Sequence, residues 1–243
     1  MNVFLALPAY NEECALPSLL AAVQQAMMES RTPCRVVIVD DGSTDATCRV
    51  VQEWSARLSI DLVCHSENRG LGETIRDALR WASERAAVED IIVTMDADNT
   101  HSPALIPQMV QCAANGNDVV IASRYRRGSK VVGLSAFRRL MSYGARVVMQ
   151  FLCPLPGVRD YTCGYRAYRV GVVQRAFAAY GDAFVTEPGF TCMAEILLKL
   201  GSMGVRMCEI PMVLHYDQKT GASKMRVGST IWKTFQLIFR HRC

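Results

Sequence analysis

Two carboxylates one residue apart, Asp96 and Asp98, are the residues of this 243-residue chain whose type and spacing best suit chemistry. They lie in the segment DADNTH, directly after the apolar run at residues 90–95. In an extended chain residues i and i+2 point to the same side, so both carboxylates can converge on one point. Hard oxygen ligands suit Mg²⁺ or Mn²⁺ bridging a diphosphate. The alternative is an Asp-rich N-cap for the helix that follows Ser102, which needs no metal.

A second acidic segment, DDGSTD, occupies residues 40–45 and follows the apolar run at residues 35–39. Its glycine suits a turn and its hydroxyl residues suit the cap of the next helix, which is a purely structural interpretation. That interpretation leaves Asp40 unexplained, because it puts an acid at the end of a buried strand. A carboxylate at this position can accept hydrogen bonds from a nucleotide base or ribose.

Short apolar runs alternate with helical patterns through the first half of the chain. The predicted strands are residues 3–7, 35–39, 60–64, 90–95 and 118–122, and the predicted helices are residues 16–29, 44–58, 72–86 and 103–114. This alternation predicts an α/β fold of Rossmann-like type, with a mostly parallel sheet flanked by helices on both faces. The strands are followed by PAYNEE, DDGSTD, SENRG, DADNTH and SRY. Because ligands bind at the carboxyl ends of such strands, these clusters predict one site.

After residue 125 the pattern is looser. It predicts helices at residues 135–152 and 188–200, a loop or short strand at 160–166, and a last strand at 205–214. Residues 1–215 are expected to form one catalytic domain, and residues 216–243 a basic amphipathic tail. That tail holds six Lys or Arg residues against one Asp.

Composition argues against several classes of protein. A net charge of +4 is too small for a nucleic-acid binder. The ten cysteines include no CxxC pair, so no zinc knuckle is expected, and most are predicted to be free core residues of a cytoplasmic protein. GxGxxG and GxxxxGK[ST] are both missing, which disfavours dehydrogenases and P-loop NTPases. The first apolar run ends at Glu12 and predicts a buried strand rather than a signal peptide, and no apolar run has a length that spans a bilayer.

In this order, the motifs PAYNE, DDGSTD, DADxxH before proline, SRY, DYTCGYR and GASK resemble those of the inverting family 2 glycosyltransferases of GT-A fold. The likeness runs from Pro8 to Lys224. The spacing of Arg138 and Ser142, together with DYTCGYR and GASK, is similar to the dolichol-phosphate mannose synthase group. The resemblance implies transfer of a sugar with inversion, mannose from GDP-mannose by analogy, to a polyprenyl or dolichyl phosphate, with Mg²⁺ or Mn²⁺ as cofactor.

The same resemblance implies roles for individual residues. The nucleotide-sugar contacts would be Pro8, Tyr10, Glu12, Asp40, Gly70, Asp96, Ala97 and Lys224. The metal ligands would be Asp96 and Asp98, the catalytic residues Asp98, Asp160 and Arg124, and the acceptor-phosphate contacts Arg124, Arg138 and Ser142. Two departures from the family pattern are Thr100, where relatives often have Gln, and the pair Gln218–Lys219, where relatives tend to have Arg.

A phosphate acceptor agrees with the basic residues of the chain. A phosphate monoester is largely dianionic at neutral pH, so it needs cations more than a general base. The candidate cations are Arg124, Arg126, Arg127, Arg138 and Arg139, of which two or three are expected to be functional.

Two amphipathic stretches predict peripheral contact with a membrane. One is the predicted helix at residues 135–152, and the other is the tail around Trp232, where apolar residues at helical spacing lie among Lys and Arg. The alternative is that both apolar stripes pack on the domain itself.

Three other functions remain open. The first is a transferase of the same fold that uses another nucleotide sugar, such as UDP-glucose, or a soluble hydroxyl acceptor. The second is a catalytically silent nucleotide-sugar binder, which the intact pair of Asp96 and Asp98 disfavours. The third is a nucleotidyltransferase. Such enzymes usually have a glycine-rich, basic first loop, and PAYNEE does not match that pattern.

Overall fold

The computed structural model describes residues 1–219 and 236–237. Within them the strands are β1 Val3–Ala9, β2 Cys34–Asp40, β3 Ile60–Cys64, β4 Ile91–Thr94, β5 Val119–Ser123, β6 Lys130–Val132, β7 Arg166–Arg169, β8 Met207–Pro211 and β9 Val213–His215. The helices are α1 Leu16–Ser30, α2 Thr47–Trp54, α3 Leu71–Arg85, α4 Ile106–Ala114, α5 Ala136–Leu152, α6 Val170–Tyr180 and α7 Cys192–Ser202. Short 3₁₀ turns lie at Pro103–Leu105, Gly181–Phe184 and Tyr216–Gln218.

Seven strands form one sheet in the order β3-β2-β1-β4-β7-β5-β8. Only β7 among them runs antiparallel to its neighbours β4 and β5 within the described part of the chain. Helix α1 contacts both α2 and α4, and helices α3, α6 and α7 contact one another, which gives two helical layers. The predicted α/β fold with a mostly parallel sheet is confirmed. A separate parallel pair, β6 with β9, lies outside this sheet.

The central strands carry the core because their side chains are apolar on both faces. All residues of β4 and β5 are buried, and so are the last five residues of β2. Strands that are covered by helices on both faces need such continuous apolar runs. The polar residues of these segments therefore concentrate where the strands end.

Several predicted boundaries are wrong, and each error has a local cause. Helix α2 begins at Thr47 rather than residue 44, because the preceding residues bond to the loop after β1. The strand predicted at 205–214 is two strands, because β8 pairs with β5 as far as Pro211, whereas Val213–His215 pair with β6 instead. The segment at 160–166 is mostly loop, and β7 begins only at its last residue. Helix α6 and strand β6 were not predicted.

Helix α5 has the predicted position and an unusual orientation. Its large apolar side chains Phe137, Leu140, Val147 and Phe151 are exposed, with 83% of Phe151 open to solvent, whereas Met149 is the buried residue of the helix. Among the residues that the structure describes, no helix is both long and apolar enough to cross a membrane. The domain boundary at residue 215 stays a prediction, because the tail from residue 220 lies outside the described residues except for 236 and 237.

Candidate active site

The polar clusters at the strand ends lie along one edge of the sheet. Strand β1 pairs in parallel with both β2 and β4, and Ala9 lies opposite Asp40. Asp96 and Asp98 follow β4 within four residues of its end. The structure therefore brings the segments PAYNEE, DDGSTD and DADNTH together, as the parallel order of the strands predicts.

The loop after β1 and the loop after β2 are joined by hydrogen bonds between backbone and side chains. The amide of Asn11 donates to the hydroxyl of Ser43 at 2.8 Å, and the amide of Glu12 donates to the hydroxyl of Thr47 at 2.8 Å. In return, the side-chain oxygen of Asn11 accepts from the amide of Thr44. Ser43 thus fixes the neighbouring loop and does not cap the next helix as predicted, since the N-cap of α2 is Ala46, which makes no side-chain cap hydrogen bond.

The residues predicted to contact the nucleoside lie in these joined loops. Pro8 belongs to β1, and Tyr10 and Glu12 follow it; all three are partly exposed. Asp40 is buried and accepts hydrogen bonds from the amide and the hydroxyl of Ser43. Their contacts with a nucleoside stay predictions.

Asp41, which the sequence did not single out, holds the glycine loop after β3. Its carboxylate accepts from the amides of Arg69 and Gly70, both at 2.9 Å. A side chain at Gly70 would meet the carbonyl of Pro188 at 2.7 Å, and the φ of Gly70 is +91°. Close packing against residues 187–188 accounts for this glycine, and its predicted ligand contact stays a prediction.

Asp98 is oriented by its own loop. Its Oδ1 atom accepts from the amide of Thr100 at 3.1 Å and from the Thr100 hydroxyl at 2.6 Å. Its Oδ2 atom forms an ion pair with the ammonium of Lys219. Burial raises the pKa of Asp98, but the hydrogen bonds from Lys219 and Thr100 outweigh it, and the pKa lies below the usual range. Thr100, which departs from the family pattern, therefore fixes the carboxylate and leaves one oxygen for a cation.

Asp96 has the opposite electrostatic environment. Burial and the negative charge of Asp98 raise its pKa, against the opposing effect of His101. The imidazole of His101 is buried, with its Nδ1 atom 3.9 Å from Asp96 Oδ2, and that nitrogen has no hydrogen-bond partner. Burial also lowers the pKa of His101, so the ring is neutral near pH 7. A residue at position 164 other than glycine would crowd the Asp96 carboxylate at 3.2 Å.

Asp96, Asp98 and His101 fit a divalent cation that takes some of its ligands from the protein and the others from a bound substrate. The two carboxylates supply hard oxygen ligands of the kind that Mg²⁺ and Mn²⁺ prefer, and the unpartnered nitrogen of His101 leaves an unsatisfied buried polar atom beside them. Among the described residues, the possible ligand atoms of Asp96, Asp98 and His101 do not all lie within 4.8 Å of one another. Mg²⁺ is commonly held by one or two carboxylates, with phosphates and water as its other ligands. Asp96 and Asp98 would be the protein ligands here.

Lys219 and Tyr216 connect the acid pair to helix α5. The amide of His215 donates to the carbonyl of Thr100 at 2.9 Å, which brings the following residues over the site. The Tyr216 hydroxyl accepts from Arg138 at 2.7 Å. The cationic groups of Arg138 and Lys219 each lie 5.8 Å from the centre of the Tyr216 ring. Neither Tyr216 nor a direct contact of Lys219 with Asp98 was predicted, since only the fold brings residue 219 beside residue 98.

Arg124 and Asp160, both predicted to be catalytic, form a buried ion pair. Two guanidinium nitrogens of Arg124 donate to the two carboxylate oxygens at 2.8 and 2.6 Å, and the Arg124 amide donates as well. Burial alone would raise the pKa of Asp160, but Arg124 holds it below its usual range. Glu209 fixes this loop by accepting from the amides of Arg159 and Asp160. Arg124 is therefore already neutralised by one carboxylate.

The polar face of α5 points inward. Arg138, Ser142 and Arg146 recur every four residues and so share one face of the helix. The Ser142 hydroxyl lies 2.6 Å from the Tyr125 hydroxyl, and the Arg146 guanidinium lies 4.8 Å from the centre of the Tyr125 ring. Since Tyr125 follows Arg124, the three predicted acceptor residues lie in one region. Arg146 was missed, although its four-residue spacing from Ser142 was a signal.

The remaining predicted residues divide into three cases. Ala97 is buried between the two acids. Glu195 on α7 is buried, pairs with Lys199 and accepts hydrogen bonds from the amides of Thr186 and Glu187. Lys224 and the GASK segment lie outside the described residues.

Two proteins of known activity are similar to this chain in sequence. The dolichol-phosphate mannosyltransferase of Pyrococcus furiosus is 30% identical over 241 residues, which is 99% of this chain and 63% of that protein. The undecaprenyl-phosphate mannosyltransferase of Micrococcus luteus is 31% identical over 94% of this chain and 89% of its own length. The chain thus spans less than two thirds of the length of the first of these relatives.

Solved structures share the fold. Glucosyl-3-phosphoglycerate synthase of Mycobacterium tuberculosis, in a complex with Mn²⁺ and UDP, superposes with a TM-score of 0.71 over 99% of this chain and 80% of its own, at 17% identity. At that identity the likeness concerns the fold alone. The family model described as Glycosyl transferase family 2 matches residues 5–177. The chain therefore belongs to glycosyl transferase family 2.

Proposed function

We propose that this protein transfers a sugar, mannose from GDP-mannose in the first instance, to a polyprenyl phosphate with inversion. One observation carries the proposal: the acid pair that would hold the donor and the basic face of α5 that would hold the acceptor are linked through Lys219 and Tyr216. Donor and acceptor chemistry thus meet at one edge of the sheet. The names of the two mannosyltransferases that resemble the chain support the same assignment.

The donor side matches the dimensions of a nucleoside diphosphate. Asp40 ends β2 and Asp96 follows β4, with β1 between them. Because neighbouring strands lie about 4.8 Å apart, the two acids are separated by roughly 10 Å across the sheet. A nucleoside at Asp40 can therefore extend its diphosphate to Asp96 and Asp98. A divalent cation held there supplies charge stabilisation for the departing nucleoside diphosphate.

Lys219 has a place in this arrangement. It is the cation at Asp98 Oδ2 in the protein alone. If a divalent cation binds Asp98, the ammonium of Lys219 would be available to the donor diphosphate. Lys219, which stands where relatives tend to have Arg, would then supply one positive charge to the donor.

The acceptor side needs cations without carboxylate partners. Arg138 donates to the Tyr216 hydroxyl and Arg146 to Gln150, and neither has a carboxylate partner among the described residues. Arg124 instead places its charge against Asp160. A phosphate dianion attacks without prior removal of a proton, so the site needs Arg138 and Arg146 more than a general base.

The outer face of α5 points to contact with a lipid surface. Its inward face is basic, and its outward face carries Phe137, Leu140, Val147 and Phe151 in the open. A polyprenyl phosphate has its chain in the bilayer and its phosphate at the surface. A helix lying in that interface would bury the apolar side chains in lipid and keep the arginines beside the phosphate. Peripheral association with a membrane is therefore part of the proposal.

The test is a screen of nucleotide sugars against a short polyprenyl phosphate with Mg²⁺ or Mn²⁺, with the mass of the product as readout. GDP-mannose is expected to give polyprenyl-phosphate mannose. Arg138→Ala should raise the KM for polyprenyl phosphate about 10–100-fold, because a hydrogen bond to a charged group contributes about 1.5–3 kcal/mol. The KM for the donor should stay unchanged.

The matched control is Arg139→Ala, since Arg139 is an exposed neighbour on the same helix. It should leave both constants unchanged. Transfer to a soluble hydroxyl acceptor with no use of polyprenyl phosphate would contradict the proposed acceptor. Transfer from UDP-glucose alone would replace the proposed donor.

A further inference from the structure

Three potential metal ligands meet at the ends of β2 and β3. Asp40 is the last residue of β2, Cys64 is the last residue of β3, and Cys48 is the second residue of α2. The Sγ atoms of Cys48 and Cys64 are 3.8 Å apart, and Cys48 Sγ lies 3.3 Å from Asp40 Oδ2. Within the described residues, this is the group of three His, Cys, Asp or Glu ligand atoms that lie within 4.8 Å of one another.

The fold itself assembles the group. In the parallel ladder of β2 and β3, Asp40 lies directly opposite Cys64, which places their side chains on the same face. Helix α2 begins at Thr47, so Cys48 lies in its first turn above the same strand ends. Asp40 is buried, Cys48 is half-buried and Cys64 is exposed. The cluster is therefore buried at Asp40 and open to solvent at Cys64.

The spacing suits a thiolate-bound metal better than a disulfide. Zinc binds thiolate sulfur at about 2.3 Å and carboxylate oxygen at about 2.0–2.2 Å in tetrahedral geometry. Those bond lengths require two sulfur atoms about 3.8 Å apart and a sulfur–oxygen separation of about 3.5 Å. A disulfide requires about 2.05 Å between the sulfur atoms and has no use for a carboxylate.

We propose that Asp40, Cys48 and Cys64 form a site for a thiophilic divalent cation such as Zn²⁺, separate from the site of Asp96 and Asp98. Three protein ligands leave the fourth tetrahedral position to water. On binding, the two thiols lose their protons to solvent and their sulfur atoms replace water on the cation. No oxidant takes part.

The site has a consequence for the donor, and that consequence rests on the proposed function. Asp40 is the carboxylate proposed to accept hydrogen bonds from the nucleoside. A cation bound to its Oδ2 atom takes one of the two acceptor oxygens, and the other, Oδ1, already accepts from the Ser43 hydroxyl. Zn²⁺ should therefore compete with the nucleotide sugar, whereas Mg²⁺, which prefers oxygen ligands, should not compete through this site.

The test begins with Co²⁺ added to the reduced, metal-free protein, with the sulfur-to-cobalt charge-transfer absorption in the near ultraviolet as readout. The wild type should show the band at one Co²⁺ per chain, and Zn²⁺ should abolish it. Cys48→Ser and Cys64→Ser should each weaken binding more than about 100-fold, because loss of groups that merely orient a ligand already weakens binding about 10–100-fold.

The chain contains a matched control pair. Cys112 and Cys208 have sulfur atoms 3.3 Å apart, but the polar group beside them is the amide of Asn117. The double change Cys112→Ser with Cys208→Ser should leave the cobalt band unchanged. Absence of the band in the reduced wild type, or its persistence in Cys48→Ser, would overturn the proposal. A mass loss of two hydrogens mapped to a Cys48–Cys64 bond, with no cobalt binding, would also overturn it.

Activity provides the second part of the test. Zn²⁺ should raise the apparent KM for the nucleotide sugar in the wild type at constant excess Mg²⁺, and this effect should disappear in Cys48→Ser. A cobalt band without competition would leave the metal site in place and refute the nucleoside contact of Asp40. Competition that persists in Cys48→Ser would place the inhibitory Zn²⁺ elsewhere and overturn the link between the two sites.

Discussion

The two halves of the chain bring opposite charges to the same edge of the sheet by different means. In residues 1–123 the side chains at this edge are acids that their own loops hold: Asp98 accepts from Thr100, two residues later. In residues 124–219 they are cations held from far along the chain. Arg124 pairs with Asp160, 36 residues later, and Arg138 bonds to Tyr216, 78 residues later. The acidic half of the site therefore forms with its strands, while the basic half requires the completed fold.

Helices α3 and α5 show a second contrast between the halves. Helix α3 buries Ile75, Ala78 and Leu79 against the sheet. Helix α5, of similar length, turns Arg138 and Ser142 inward and its large apolar residues outward. A helix normally buries its apolar stripe. The exposed apolar face of α5 agrees with the contact with a lipid surface that is proposed above.

The largest expected effect is loss of transfer when the acidic half is broken at Asp98. Asp98→Asn should lower kcat about 1,000-fold or more, because a catalytic metal contributes several kcal/mol to stabilisation of the transition state. The protein should stay folded but lose some thermal stability, because Asp98 is buried and also pairs with Lys219. Turnover of polyprenyl phosphate is the measurement. Asp217→Asn is the control, because Asp217 is a nearby exposed acid, and an equally small effect of both changes would remove Asp98 from catalysis.

The second effect concerns stability of the basic half. Asp160→Asn should lower the free energy of unfolding by about 3–5 kcal/mol, because it leaves the Arg124 guanidinium buried without its partner. Urea denaturation gives the value. Asp182→Asn, at an exposed pair with Arg80, should change it by less than about 1 kcal/mol. Similar values for both variants would show that the basic half does not depend on its long-range pair.

The same pair predicts a pH dependence. The pKa of Asp160 is lower in the folded protein than in the unfolded chain, where it is about 3.9. Its stabilisation is therefore fully present above the unfolded-state pKa and is lost as the pH falls through the lower folded-state pKa. The difference in stability between wild type and Asp160→Asn should be constant above about pH 5 and shrink below about pH 4. A difference that widens in acid would contradict the assignment.

The smallest effect is expected at the outer face of α5. Phe151→Glu should weaken partition to liposomes about 10–100-fold, since burial of a phenylalanine contributes about 1.5–3 kcal/mol. The free energy of unfolding should stay within about 0.5 kcal/mol, because the side chain is exposed. Met28→Glu, at an exposed apolar residue on α1, should leave partition unchanged. Equal partition of both variants with wild type would show that α5 does not face lipid.

The predictability of each element follows from the range of the interactions that form it. β3 matches its predicted bounds, and β1, β2, β4 and β5 differ by at most two residues at either end, because buried parallel strands are continuous apolar runs. The antiparallel β7 was missed as a regular strand, since its sequence RAYR has no continuous apolar run and its burial comes from β4 and β5. The late start of α2 depends on contacts with the loop after β1, which no local pattern contains.

The sequence by itself determined the α/β class, the order of the acidic loops and the candidate pair Asp96 and Asp98, because strand periodicity and the i, i+2 spacing of side chains are local properties. Only the tertiary structure decided the pairing of Lys219 with Asp98, the neutralisation of Arg124 by Asp160 and the outward turn of the apolar face of α5. The same holds for the contact of Cys48 with Cys64. These two cysteines are 16 residues apart, so the sequence showed no spacing typical of a zinc site. These contacts join residues many positions apart, and their geometry exists only when the sheet register places them side by side.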